Sequence, residues 1–146
     1  MLIYLALRAL FKPRCWWRNR HLQTAYPALF CKPPTPTRRT VILTTTDDDE
    51  LLLDISGDHH QSKHAMLLFH DLGGSSDSQY IVALQSMVDQ MGIMSVAVNF
   101  RGAKGPNRLA KAYHSGVSDE AREAVEYCNQ HFDKKWLATG FSLGGN

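Results

Sequence analysis

A chain of 146 residues has the size of one ordinary domain and is long enough to bury roughly two-thirds of its unfolded surface. With 44% hydrophobic and 21% charged residues, and neither an internal repeat nor a low-complexity tract, it is excluded from the disordered and fibrous classes. A formal net charge of +2 is too small to imply a nucleic-acid partner, although the first forty residues carry Arg and Lys and no acid.

The opening MLIYLALRALF is apolar but interrupted by Arg8, and it is shorter than the about 20 residues a bilayer span needs. No small-residue cleavage site follows, so it does not read as a signal peptide. Leu2, Leu5, Ala6 and Ala9 recur at helical spacing and Trp16 and Trp17 follow. An arm packed on its own domain is expected, with peripheral membrane contact through that arm as the alternative. Cys15, Cys31 and Cys128 form an odd set without paired short spacings, which reads as reduced thiols in a cytoplasmic protein. KPPTPTRRT (32–40) holds three of the six prolines and reads as an extended connector rather than a helix or strand. It divides an arm, 1–40, from a folded body, 41–146.

VILTTT (41–46) and LLLDIS (51–56) flank Asp47-Asp48-Asp49-Glu50, a pattern that predicts a hairpin with a solvated acidic turn. The rhythm then changes. AMLLFH (65–70), SVAVNF (95–100) and KWLATGF (135–141) are continuous apolar runs, expected of strands buried on both faces of a parallel sheet. A helix over 78–91 would turn Ile81, Leu84, Met87 and Val88 inward, with Asp77 or Ser78 as cap and Gly92 as stop. A second, from about 118, would place Ala121, Ala124, Val125 and Cys128 inward, with Asp119 and Glu120 at the positive end of its dipole. Hairpin, strand, helix, strand, helix, strand is an α/β order, and right-handed crossovers would wind it into a mostly parallel, doubly wound sheet.

Gly140-Phe141-Ser142-Leu143-Gly144 is a G-x-S-x-G match placed where a strand should turn sharply into a helix. Such a turn strains the serine backbone and lifts its Oγ over the sheet, and it needs glycine at Gly140 and Gly144 because a Cβ there would strike neighbouring backbone. Ser142 is therefore the candidate nucleophile. A serine hydroxyl also needs a histidine base and an acid to orient it. In this arrangement both follow the serine in chain order, so neither is assigned and the upstream histidines are poor candidates.

His70-Asp71-Leu72-Gly73-Gly74, directly after the first of the three runs, lies where an oxyanion hole is built. The backbone N–H groups of Leu72 and Leu143 are the candidate donors, each worth on the order of a hundredfold to a thousandfold in rate. His70 reads as a structural histidine pinning this loop, with Gly73 supporting it. His59, His60 and His64, beside Asp58 and Lys63, read as a solvated turn and not a metal site.

Four segments carry a family resemblance: residues 18–24 (RNRHLQT), 70–74, Asn99-Phe100-Arg101-Gly102 through Pro106-Asn107-Arg108 with Tyr113-His114-Ser115-Gly116, and 140–146. In these the chain resembles the YheT-like branch of the α/β-hydrolases, related to the mammalian abhydrolase-domain lipid hydrolases. The resemblance implies an α/β-hydrolase fold and a carboxylic-ester hydrolase acting on short- or medium-chain acyl esters or acylglycerols. It also implies a Ser, Asp and His triad and no cofactor. Asp71 stands where this family usually has glycine, and its side chain is expected to point outward; 103–105 is shorter than the family pattern. Because the family continues well past the elbow, the chain is expected to be the N-terminal portion of the fold, truncated after the elbow and without turnover by itself. A non-catalytic binding module of the same fold is the main alternative. A dinucleotide-binding domain fits less well, because its glycine fingerprint belongs after the first strand.

Overall fold

The computed structural model describes residues 19–30, 32–106 and 118–145. It falls into two compact units, Met1–Lys32 and Pro33–Asn146. In the first, helix α1 (Arg20–Phe30) is capped by Asn19. The Asn19 Oδ1 accepts the His21 N–H at 2.9 Å, which satisfies one of the free donors of a helix start, and its carbonyl accepts the Gln23 N–H at 3.1 Å as the first bond of the helix. The helical pattern from Leu2 to Ala9, both neighbouring tryptophans, Cys15 and Cys31 lie outside the described residues. Among the described residues no helix is long and apolar enough to cross a membrane.

The second unit is a five-stranded mixed sheet in the order β1-β2-β4-β3-β5. The hairpin strands β1 (Arg38–Thr44) and β2 (Glu50–Ser56) pair antiparallel. Strands β3 (His64–Phe69), β4 (Met94–Asn99) and β5 (Lys135–Gly140) run parallel to one another, and β2 joins them by antiparallel pairing with β4. Arg38, Arg39 and Thr40, assigned above to the connector, are already strand and pair with Ser56, Ile55 and Asp54. None is a proline, so the ladder extends back until Pro36 approaches.

Helix α2 (Gln79–Gln90) links β3 to β4, and α3 (Ser118–His131) precedes β5 on the far side of β3. The two helices cover opposite faces. Ile81 of α2 packs with Leu68 and Ala97, whereas Ala124 and Cys128 of α3 join Leu53, Ile55, Leu67, Phe69, Val96 and Val98. Successive side chains of β3 and β4 thus enter different cores, which is why their sequences run apolar without alternation. Burial pushes the Cys128 thiol up to about 12.

Three expectations change. Met87 is 59% exposed, and Gln85 is the buried residue instead, its amide donating to the Asp54 carbonyl at 3.0 Å. Strand β5 is not buried on both faces: it takes the sheet margin, and Leu137 is 60% exposed. Ser78 does occupy the α2 N-cap, but its Oγ accepts the Ser75 N–H at 3.0 Å and caps nothing.

The acidic turn is not simply solvated. Asp47 receives both terminal nitrogens of Arg101 at 2.7 Å, while Asp49 Oδ2 and Glu120 Oε1 lie 3.5 Å and 3.0 Å from the same guanidinium. Asp49, Glu120 and Arg101 are buried, and burial pushes the Glu120 carboxyl up. Glu120 therefore does more than answer a helix dipole: three carboxylates from the hairpin turn and α3 meet one cation at the end of β4.

Candidate active site

The crossovers leaving β3 and β4 place their next strands on opposite sides of β3, the kind of reversal beside which open α/β sheets bind ligands at the carboxyl ends of their strands. Phe69 and Gly140, the last residues of β3 and β5, pair with each other. The 70–74 loop and the elbow consequently leave the sheet side by side. The Phe141 N–H donates to the Phe69 carbonyl at 3.0 Å, carrying the ladder one residue past the strand, and the Gly144 N–H returns to the Phe141 carbonyl at 2.9 Å. The result is a tight 3-10 turn over Ser142–Gly145.

Ser142 is exposed and has φ +50°, in the left-handed region that costs a non-glycine residue on the order of 1–3 kcal/mol. Steric crowding maintains that strain. A Cβ on Gly140 would overlap the Gly144 carbonyl, and one on Gly144 would lie 2.5 Å from the His70 carbonyl oxygen and 2.6 Å from that of Phe69. Every one of those neighbours is backbone. The elbow thus rests directly on the loop following β3, with Leu143 next to Ser142 and half-buried.

In that loop, His70 is fully buried. Its Nε2 accepts the Phe100 N–H at 3.2 Å, so Nδ1 carries the proton and donates it to the Asp71 carbonyl at 2.7 Å. Burial holds its pKa below the ordinary range, outweighing the opposing pull of the Asp71 carbonyl and carboxylate. With both nitrogens engaged, His70 ties the end of β3 to the end of β4. The Leu72 side chain is 70% exposed. Gly73 has φ +76°, a conformation glycine adopts without a Cβ penalty.

The Asp71 side chain is half-buried and not simply turned outward. The Tyr80 hydroxyl donates to its Oδ1. Sequence reasoning did not single out Tyr80, and its only signal was a polar aromatic residue in the first turn of α2. Also missed was the network around Asp54, a carboxylate within an otherwise apolar strand. Asp54 accepts from Thr40 and Ser76 hydroxyls at 2.5 Å, Asn99 Nδ2 at 3.0 Å and Lys104 Nζ at 2.9 Å. Burial alone would push this carboxyl up; the bonds from Lys104, Ser76, Thr40 and Asn99 together bring it down to about 2. The Ser76 N–H donates to Asn99 Oδ1 at 2.8 Å, so the far end of the 70–74 loop is anchored to the sheet. Lys104, in the short 103–105 stretch, also bridges to Asp77 at 2.9 Å.

His60 is not merely solvated. Its Nε2 lies 3.0 Å from Asp89 Oδ1, joining the loop after β2 to the end of α2. Among the described residues no group of three His, Cys, Asp or Glu side chains could hold a metal. A cavity of about 200 Å³ opens beyond β4, lined by Asp49, Leu52, Asn99, Phe100, Lys104 and Pro106 among others; neither Ser142 nor Leu72 borders it.

No protein-family model matches the chain. It is 34% identical over 140 residues to the Escherichia coli (strain K12) protein named "Putative esterase YheT", a match covering 93% of this chain and 41% of that protein. The chain therefore spans about two-fifths of that relative's length. Among solved structures, the fold superposes on the Pyrococcus furiosus esterase Pf2001 with a TM-score of 0.63 at 18% identity, over 77% of this chain and 49% of that one. It also superposes on an α/β serine hydrolase homologue from Coxiella burnetii with a TM-score of 0.60 at 19% identity, over 76% and 55% of the two chains. At such identities the structural likeness speaks for the fold alone. Sequence match and architecture agree: the chain has the α/β-hydrolase fold and is YheT-like in sequence over about two-fifths of that relative's length.

Proposed function

We propose that the protein is a carboxylic-ester hydrolase, with Ser142 as nucleophile and the backbone N–H groups of Leu72 and Leu143 as oxyanion donors. One observation carries this reading. Ser142 is held at positive φ at the exit of a parallel strand, on a turn whose glycine packs against the carbonyls of the neighbouring strand's own exit loop. That is the placement a nucleophile needs to attack an acyl carbon while amides from two loops receive the developing charge.

The substrate is an uncharged ester, of short or medium acyl chain or an acylglycerol, and the reaction uses no cofactor. An acyl-enzyme forms on Ser142 Oγ and the alcohol leaves; water then releases the acid. The base that takes the hydroxyl proton is not His70, whose two nitrogens are committed. In the α/β-hydrolase chain order the acid and base follow the nucleophile, so the 146-residue stretch by itself is expected to be without turnover. A cytoplasmic protein whose basic N-terminal arm touches a membrane periphery is compatible with a lipid ester substrate.

The test is covalent labelling of the intact gene product with a fluorophosphonate. Labelling of a peptide containing Ser142, lost in Ser142→Ala, is the expected result. A Ser142→Ala protein that still takes the label would remove the assignment.

A further inference from the structure

Asp71 and Tyr80 are joined twice. The phenol donates to Asp71 Oδ1 and accepts the Asp71 backbone N–H at 3.1 Å, so both the side chain and the main chain just before Leu72 are fixed to helix α2. The ring of Tyr80 also packs on Phe141, with centroids 4.6 Å apart. Phe141 immediately precedes Ser142, so one side chain touches both loops of the candidate site. Gly74 makes room for this arrangement: a Cβ there would overlap Asp71 Oδ1 and lie 2.8 Å from the Tyr80 hydroxyl. Burial, and then the bond to Asp71, hold the phenol above the ordinary tyrosine range, so it remains a donor at neutral pH.

We propose that Tyr80 is a positioning residue for ester hydrolysis: its hydroxyl tethers the Asp71 carboxylate so that this charge does not oppose the oxyanion at Leu72, while its ring seats the elbow against the same loop. The proposal rests on the ester-hydrolase reading above. A carboxylate one residue from an oxyanion donor works against the charge that develops in the transition state. A neutral ester in the ground state carries no such charge, so freeing Asp71 should reduce kcat and leave KM nearly unchanged. Asp71 and Tyr80 then act as a matched pair, in which the acid is tolerated because the phenol is present.

Two measurements test this. In the intact gene product, Tyr80→Phe should lower kcat for an aryl ester by about tenfold or more, as expected when stabilisation of the oxyanion is weakened by a nearby negative charge. Asp71→Asn added to Tyr80→Phe should recover most of that loss, because the untethered group is then neutral. A loss that Asp71→Asn does not relieve, or one confined to KM, would overturn the proposal. Independently of turnover, carbon-13 tyrosine NMR should show the Tyr80 phenol titrating at lower pH in Asp71→Asn than in the wild type; an unmoved titration would also overturn it. If the wild-type protein neither hydrolyses esters nor labels at Ser142, while the NMR coupling is present, the hydrolase reading is the part that has failed and Tyr80's role in it falls too.

Discussion

Asp54 offers a direct test of how the loop scaffold is held. Its hydrogen bonds bring the carboxyl down to about 2 from an ordinary value of 3.8, a difference equivalent to about 2.5 kcal/mol. Because the folded-state pKa is below the unfolded one, this stabilisation is fully present above about pH 4 and is lost as pH falls through about 2. Asp54→Asn keeps the shape but removes the charge that Lys104, Thr40, Ser76 and Asn99 all address. The variant should be less stable than the wild type by about 2–3 kcal/mol at neutral pH, and the gap should narrow steadily as both proteins are acidified. Urea unfolding followed by circular dichroism at a series of pH values reads the gap directly, and subtracting the two proteins cancels the other carboxylates. A difference that stays constant from neutral to acid pH would refute the reasoning, since it would place the effect in packing and not in ionisation.

Arg101→Met should destabilise the fold by about 3–5 kcal/mol, because it leaves the buried Asp49 and Glu120 without their cation; a shift below about 1 kcal/mol in urea would show that the clamp contributes little. Gly144→Ala should abolish labelling at Ser142 while the far-ultraviolet spectrum changes little, since the added methyl meets the Phe69 and His70 carbonyls and must displace the elbow; full labelling would contradict the steric account. The Cys128 thiol, buried and pushed up to about 12, should resist iodoacetamide in the native protein at mildly alkaline pH and react on unfolding. Rapid native-state modification at Cys128 would mean that α3 does not cover that face of the sheet.

Local physics was legible in the sequence and distant pairing was not. Unbroken apolar runs mark β3 and β4 because each residue of a doubly covered strand meets a hydrophobic neighbour. Gly140 is legible for a similar reason, since the crowding that excludes a Cβ there comes from Gly144 a few residues on, whereas the crowding at Gly144 comes from Phe69 and His70 across the sheet. By contrast, nothing near Asp47 or Asp49 announces Arg101, whose attachment depends on β2 lying beside β4. Helix α2 shows a related limit. Its apolar stripe suggested Met87 as an inward residue, but a buried glutamine takes the sheet-facing place because its amide reaches an available carbonyl. Strand β5 reads like its parallel partners because composition reports apolarity and not position within a sheet; it lies at the margin. Tyr80 falls between these cases, since its ring could be read as core but its bond to Asp71 requires the loop geometry.

The pairing of Phe69 with Gly140 has a consequence for how this scaffold tolerates change. Two loops distant along the chain are locked together by main-chain bonds between adjoining strands. The spacing of Ser142 and Leu72 is therefore set by the ladder between β3 and β5 and not by the length of chain that separates them.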